Sequence, residues 1–202
     1  FEGHGAPVQI VEGYVTPSNV QEVLFGSASS LLSPHQEVEV LKVDIDSWDC
    51  EVAQEILFHL RARVVLVEIT SAVPPPWQFV RLFSRFDWAS QYQQGTFLSF
   101  TGCSLSYAVN VLGRRGYSLL VLDSSDAIFV RNDLEEVFRQ ALGPQLRFPQ
   151  DEFECFRRSH VWISGMPLSY VRSWFFAEDT AAATGWVFGN ITAISAAQGK
   201  AE

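Results

Sequence analysis

Two strand-like runs with a single helix between them constrain this chain more than anything else in its sequence. "EVEVLKVDI" (residues 37–45) and "RVVLVEIT" (63–70) are rich in aliphatic and β-branched residues, and both carry acids at their far ends. The intervening "DCEVAQEILFHLRA" places Val52, Ile56, Leu57 and Leu60 at helical spacing, which gives it one apolar face. Strand, helix and strand joined this closely form a βαβ unit, in which the two strands lie parallel. The nearly unbroken apolar stretches suit strands covered on both faces.

The rest of the chain extends this pattern. "PVQIVEGYV" (7–15) reads as an earlier strand. "TPSNVQEVLF" follows as a helix, with Thr16 as N-cap and Pro17 at the first helical position. "GSASSLLSPHQ" is a loop. After residue 70, "SAVPPPW" ends regular structure, because proline cannot donate to a ladder. "GCSLSYAVNVLGRRG" (102–116) reads as a helix stopped by Gly116. "YSLLVLD" and "AIFVR", separated by "SSD", read as an antiparallel hairpin at one edge of the sheet, and Asn132 with Glu135 forms a capping box for "NDLEEVFRQAL". Beyond Gly143 the pattern weakens; "PLSYVRSWFF" (167–176) is a helix candidate, and Trp162, Trp174 and Trp186 suit core packing or cover for an apolar face. The expected class is therefore α/β, a mostly parallel sheet with a C-terminal antiparallel hairpin. Residues 1–145 form the main domain, and 146–202 form an aromatic-rich extension packed on it.

Composition excludes several function classes. At 202 residues, 48% apolar and 18% charged, the chain can bury a core and is not a disordered segment. Its formal charge is −9, and its basic residues cluster only as Arg114-Arg115 and Arg157-Arg158, so a nucleic-acid partner is not expected. No apolar run approaches the about 20 residues of a membrane span. The three cysteines, Cys50, Cys103 and Cys155, form no C-x-x-C; they suggest neither zinc nor a disulfide framework, and they fit a reducing, cytoplasmic setting. No P-loop, G-x-G-x-x-G or G-x-S-x-G occurs. His4, His35, His59 and His160 show no partner spacing, and "NIT" at Asn190 is a lone sequon best read as chance. The chain begins with Phe1, with no signal-peptide pattern, which suggests that an upstream segment has been lost.

The chemistry-bearing residues gather around "VDIDSWDC". Ligands of open α/β sheets bind beyond the carboxyl ends of the strands, and Asp44, Asp46 and Glu68 stand there on two consecutive strands. Strand alternation puts Asp44 and Asp46 on one side. Carboxylates at such a rim suit three tasks: ligating a hard cation, acting as a general base, or holding an ammonium or hydroxyl group. The plain alternative is that Asp46 or Asp49 caps the following helix.

Five phrases in order, "GYVTPSNVQEVL", "LKVDIDSWDCEV", "RVVLVEITSAVPPP", "GCSLSYAVNVLGRRGYSLLVLD" and "DAIFVRNDL", resemble the FkbM-type class I methyltransferases, which use S-adenosylmethionine. The resemblance runs from about Val11 to Phe138 and matches the family from its third strand onward. It implies a Rossmann-like sheet lacking its first two strands, and hence lacking the glycine-rich cofactor loop. Two functions follow from it. One is a methyltransferase, present as a fragment, that O-methylates a hydroxyl on a small molecule, glycan or lipid. The other is a non-catalytic relative used for binding or scaffolding.

The resemblance also implies roles for particular residues. Asp44 and Asp46 lie near methyl donor and acceptor, and either is a candidate base. Asp44 and Glu12 are the candidate contacts to S-adenosylmethionine, and Trp48, Asp49, Glu68 and Thr70 the candidate acceptor contacts. Asp44 and Glu68 are candidate ligands for a divalent cation. Ser47 stands where the family has Gly, at a turn expected to need positive φ, and Thr70 stands where it commonly has Asn. Pro74, Pro75 and Pro76 would form a rigid wall at the acceptor side.

Overall fold

A computed structural model gives the structure of residues 9–26, 32–83, 102–160 and 185. Its centre is the expected βαβ unit. Strand β1 (Glu37–Val43) and strand β2 (Arg61–Glu68) pair in parallel, with Val38 beside Ala62 and Val43 beside Val67. One helix joins them and buries Cys50, Val52, Ala53 and Ile56, with Leu60 buried just beyond its end. A shorter helix, α1 (Val20–Phe25), packs against this connecting helix, α2 (Asp49–His59).

The second half returns to the same sheet. Helix α3 (Leu105–Gly113) leads through Gly116, at φ +82°, into β3 (Tyr117–Asp123). A tight turn with Ser124 at φ +55° reverses the chain into β4 (Asp126–Arg131). The order across the sheet is β1-β2-β4-β3, so β4 runs antiparallel to both its neighbours. The expected hairpin forms, but "mostly parallel" is corrected: among the described residues the sheet is mixed, with one parallel strand pairing, β1 with β2. The burial pattern explains why the later strand lies inside. Ala127, Phe129 and Val130 of β4 are all fully buried, whereas Val121 of β3 is 39% exposed.

Four local expectations are corrected. Residues 9–15 form no strand, and Ile10, Val11 and Tyr14 are exposed. The first helix starts at Val20, after Asn19, because Thr16 and Asn19 close a turn in which the Thr16 N–H and hydroxyl both donate to Asn19 Oδ1. Asn132 and Glu135 do not cap a helix; both side chains accept from Ser118, and a 3₁₀ turn (Asn132–Leu134) precedes α4 (Glu135–Leu142). Past Gly143 an unforeseen helix, α5 (Glu152–Ser159), is capped by Asp151, packs on β3 and α3, and buries Phe156 and Cys155.

The cysteine expectation is also corrected. Cys50, in the first turn of α2, and Cys103, just ahead of α3, are brought to sulfur–sulfur bonding distance, with Cα atoms 6.0 Å apart. Sparse spacing in sequence says nothing about this, because the two helices begin at the same edge of the sheet. Among the described residues, no helix is long and apolar enough to cross a membrane. The expected helix at 167–176, Trp162, Trp174, Trp186, Asn190, His4, residues 7–8 and most of the 146–202 extension lie outside the described residues.

Candidate functional site

Strands β1, β2 and β3 all point the same way, so their carboxyl ends and the β3–β4 turn share one edge of the sheet. There Asp44, Asp46 and Glu68 each offer a carboxylate oxygen within 4.8 Å of the others. The route differs from simple alternation. The strand ends at Val43, and Asp46 turns left-handed at φ +54°, a conformation that Asp tolerates better than most residues. The positive φ expected at Ser47 therefore falls one residue earlier, and serine there is no departure in backbone terms.

Asp49 shapes this turn. Its carboxylate accepts from Ile45 N–H at 2.8 Å and from Ser47 N–H at 3.0 Å, while the Ser47 hydroxyl donates to the Ile45 carbonyl. It is only 1% exposed, and burial raises its proton affinity against the opposing effect of those amides. Asp49 thus braces the loop from the first turn of α2, and N-cap Trp48 makes no side-chain cap bond. Trp48 is itself buried, edge-on to Phe83 at 4.9 Å between ring centroids.

Glu68 ends β2 beside Asp126 of β4. Burial first, then the charges of Asp44, Asp49 and Asp46, pushes its carboxyl up to about 6; the Ser125 hydroxyl, 3.3 Å away, opposes the shift. Lys42 supplies a cation within the same group, with Nζ 3.1 Å from Asp44 and 2.9 Å from Asp126. Thr70 is buried: its N–H donates to the Cys103 carbonyl at 2.8 Å, and its hydroxyl stands 3.4 Å from Ala72 N. Glu12 is exposed in the irregular segment ahead of α1 and is not one of the three clustered acids. Pro74 and Pro75 are buried, and Pro76 is exposed.

The segment 102–104 closes one side. It bridges Ile69 on one flank and Val80 on the other, and Gly102 N–H donates to the Ser47 carbonyl at 2.6 Å. Gly102 stands at φ +62°, and a Cβ there would lie 3.4 Å from Asp49 Oδ2 and from the Glu68 carbonyl.

Of the expected site residues, Asp44, Asp46 and Glu68 meet at this edge with accessible carboxylates, while Asp49, Trp48 and Thr70 are built into its support. Sequence reasoning missed Lys42, Asp126, Ser125 and Gly102. Only Lys42 left a trace, two residues before Asp44; the others enter through the β2–β4 pairing and the 102–104 crossing. Three carboxylate oxygens this close form a hard donor set that suits a divalent cation, and a half-buried carboxyl that titrates near 6 suits proton transfer near neutral pH. In comparisons with known proteins, the chain matches no family model, no curated protein and no solved structure.

Proposed function

We propose that this chain carries the acceptor side of an S-adenosylmethionine-dependent methyltransferase, one that O-methylates a hydroxyl on a small molecule, glycan or lipid in the cytoplasm. The carrying observation is the convergence of Asp44, Asp46 and Glu68 at the carboxyl edge of an α/β sheet. The five ordered phrases add to it, as does the antiparallel hairpin that the family resemblance implies.

The donor set fits a divalent cation, held by Asp44, Asp46 and Glu68. The fit to S-adenosylmethionine is partial: the acid rim suits a sulfonium or ribose hydroxyls, but the sequence carries no G-x-G-x-x-G motif. When bound, that cofactor supplies an already activated methyl group. The work left to this chain is alignment of the acceptor and removal of its proton. Asp44 and Asp46 can orient the acceptor hydroxyl. With no cation bound, Glu68, with the raised proton affinity, is the better proton acceptor near neutral pH.

One observation favours the second reading, a non-catalytic methyltransferase-like domain used for binding or scaffolding. The Lys42 ammonium already bridges Asp44 and Asp126 and partly neutralises the rim from within. Calorimetric titration of S-adenosylmethionine, with and without Mn²⁺, separates the two. Binding that Asp44→Ala weakens by tenfold or more supports the enzyme. No heat from S-adenosylmethionine in a folded sample fits a fragment without its cofactor loop as well as the binding domain. No heat from Mn²⁺ alone as well removes the cation-binding acid site and sinks the enzyme reading. Lys42→Met should tighten Mn²⁺ binding if cation and ammonium compete for Asp44.

A further inference from the structure

We propose that Cys50 and Cys103 form a reversible disulfide latch that holds the acid-bearing loop, residues 44–49, against the 102–104 segment. The inference goes beyond the methyltransferase reading and does not depend on it. The two Cα atoms are 6.0 Å apart across a sequence separation of 53, inside the range a disulfide spans.

The neighbours of each cysteine give the bond its effect. Cys50 directly follows Asp49, whose carboxylate carries the Ile45 and Ser47 amides. Cys103 is fixed to the end of β2 by its bridge to Ile69 and by the Thr70 N–H on its carbonyl. The bond therefore ties the loop bearing Asp44 and Asp46 to the strand end bearing Glu68. Once it is reduced, loop and segment remain tied by the Ser47–Gly102 backbone hydrogen bond. The acids then share an edge without a covalent clamp.

The chemistry is ordinary thiol–disulfide exchange. A dithiol attacks one sulfur, then closes on itself; the protein S–S bond breaks, two electrons and two protons pass to Cys50 and Cys103, and the dithiol becomes a cyclic disulfide. Cys50 and Cys103 are 2% and 0% exposed, so exchange requires the first turn of α2 or the 102–104 segment to open. The third cysteine does not compete. Cys155 is buried on α5, and burial pushes its thiol up to about 11, so it holds almost no thiolate near neutral pH. A bond of this kind suits a cytosolic protein too, where disulfides are typically transient and redox-sensing.

The test counts thiols and then follows the loop. The chain is equilibrated with oxidised glutathione, denatured and alkylated with iodoacetamide. One labelled cysteine, Cys155, is expected, with three after treatment with a dithiol; three labelled before reduction overturns the proposal. Hydrogen exchange on the native protein then compares the oxidised and reduced forms. Reduction should speed exchange of the 45–49 and 102–104 amides by about tenfold or more and leave β3 and β4 unchanged. Equal rates at 45–49 in the two forms overturn the latch. The Cys155→Ser variant should keep the response to dithiol, whereas Cys50→Ser/Cys103→Ser should exchange at the reduced rate throughout. If that double variant fails to fold, Cys155→Ser and the reduced wild type still decide the outcome.

Discussion

Asp49 shows how one side chain can be placed correctly in sequence and still have its task misread. Its position after "DIDSW" suggests a helix cap or an acceptor contact, yet its carboxylate turns back to hold the amides of Ile45 and Ser47. Asp49→Ala strands those two donors at a buried position. It should cost about 2–3 kcal/mol in urea denaturation, more than an exposed cap would. Glu68 behaves in the opposite sense. Its proton affinity is higher folded, near 6, than at its ordinary value of 4.5, so the folded chain binds the extra proton. Wild-type stability therefore falls as pH rises from about 4.5 through 6. Glu68→Gln removes that loss. At pH 7.5 the variant should be the more stable, by on the order of 1 kcal/mol after discounting for partial exposure, and the difference should vanish below pH 4.5. Thermal melts across pH check it; a constant offset at every pH would contradict the assigned cause.

Among the elements, α3 is anchored most specifically. Ser104 is fully buried, and its hydroxyl accepts from Tyr107 N–H and Phe79 N–H while donating to the Trp77 carbonyl. This exceeds an ordinary N-cap, because the same oxygen also fixes the 77–79 strip that follows the prolines. Ser104→Ala should cost about 2 kcal/mol, at the upper end for caps, and should speed amide exchange at Phe79 as well as in α3. The helix itself was legible from its apolar spacing and from the glycine beyond it. The dual role of its cap was not, since residues 77–79 are distant in sequence. The failed strand at 9–15 reflects the same limit: β-branched residues favour a strand only where a neighbouring edge receives them.

Across the whole molecule, the sheet is stitched at both edges of its strands. Opposite the acids, Glu37 of β1 accepts from Arg63 of β2 at 2.8 Å and from Arg131 of β4 at 2.7 Å, and Arg131 also binds Asp133. These side chains register the outer strand on the inner ones. Among the described residues β1 pairs on one side only, and Val40 in its middle is 57% exposed. Such an edge is a template for pairing with another chain. The protein should self-associate as its concentration rises, and Val40→Lys should suppress this without lowering the melting temperature. Sedimentation velocity on both forms checks it; a wild type that stays monomeric at all concentrations would contradict it.

Local order could be read from the chain itself. Apolar spacing marks α2 and α3, the continuous runs mark β1 and β2, and "LDSSDA" marks the hairpin, because each depends on residues within a few positions of one another. Long-range contact decided the rest. The insertion of β4 between β2 and β3, the meeting of Cys50 with Cys103, and the gathering of Glu68 and Asp126 beside Lys42 and Asp44 all join residues far apart along the chain. Periodicity within a segment carries no record of which other segment will lie beside it. That choice rests on which faces bury the most apolar surface together, and it is made only when the sheet closes over its core.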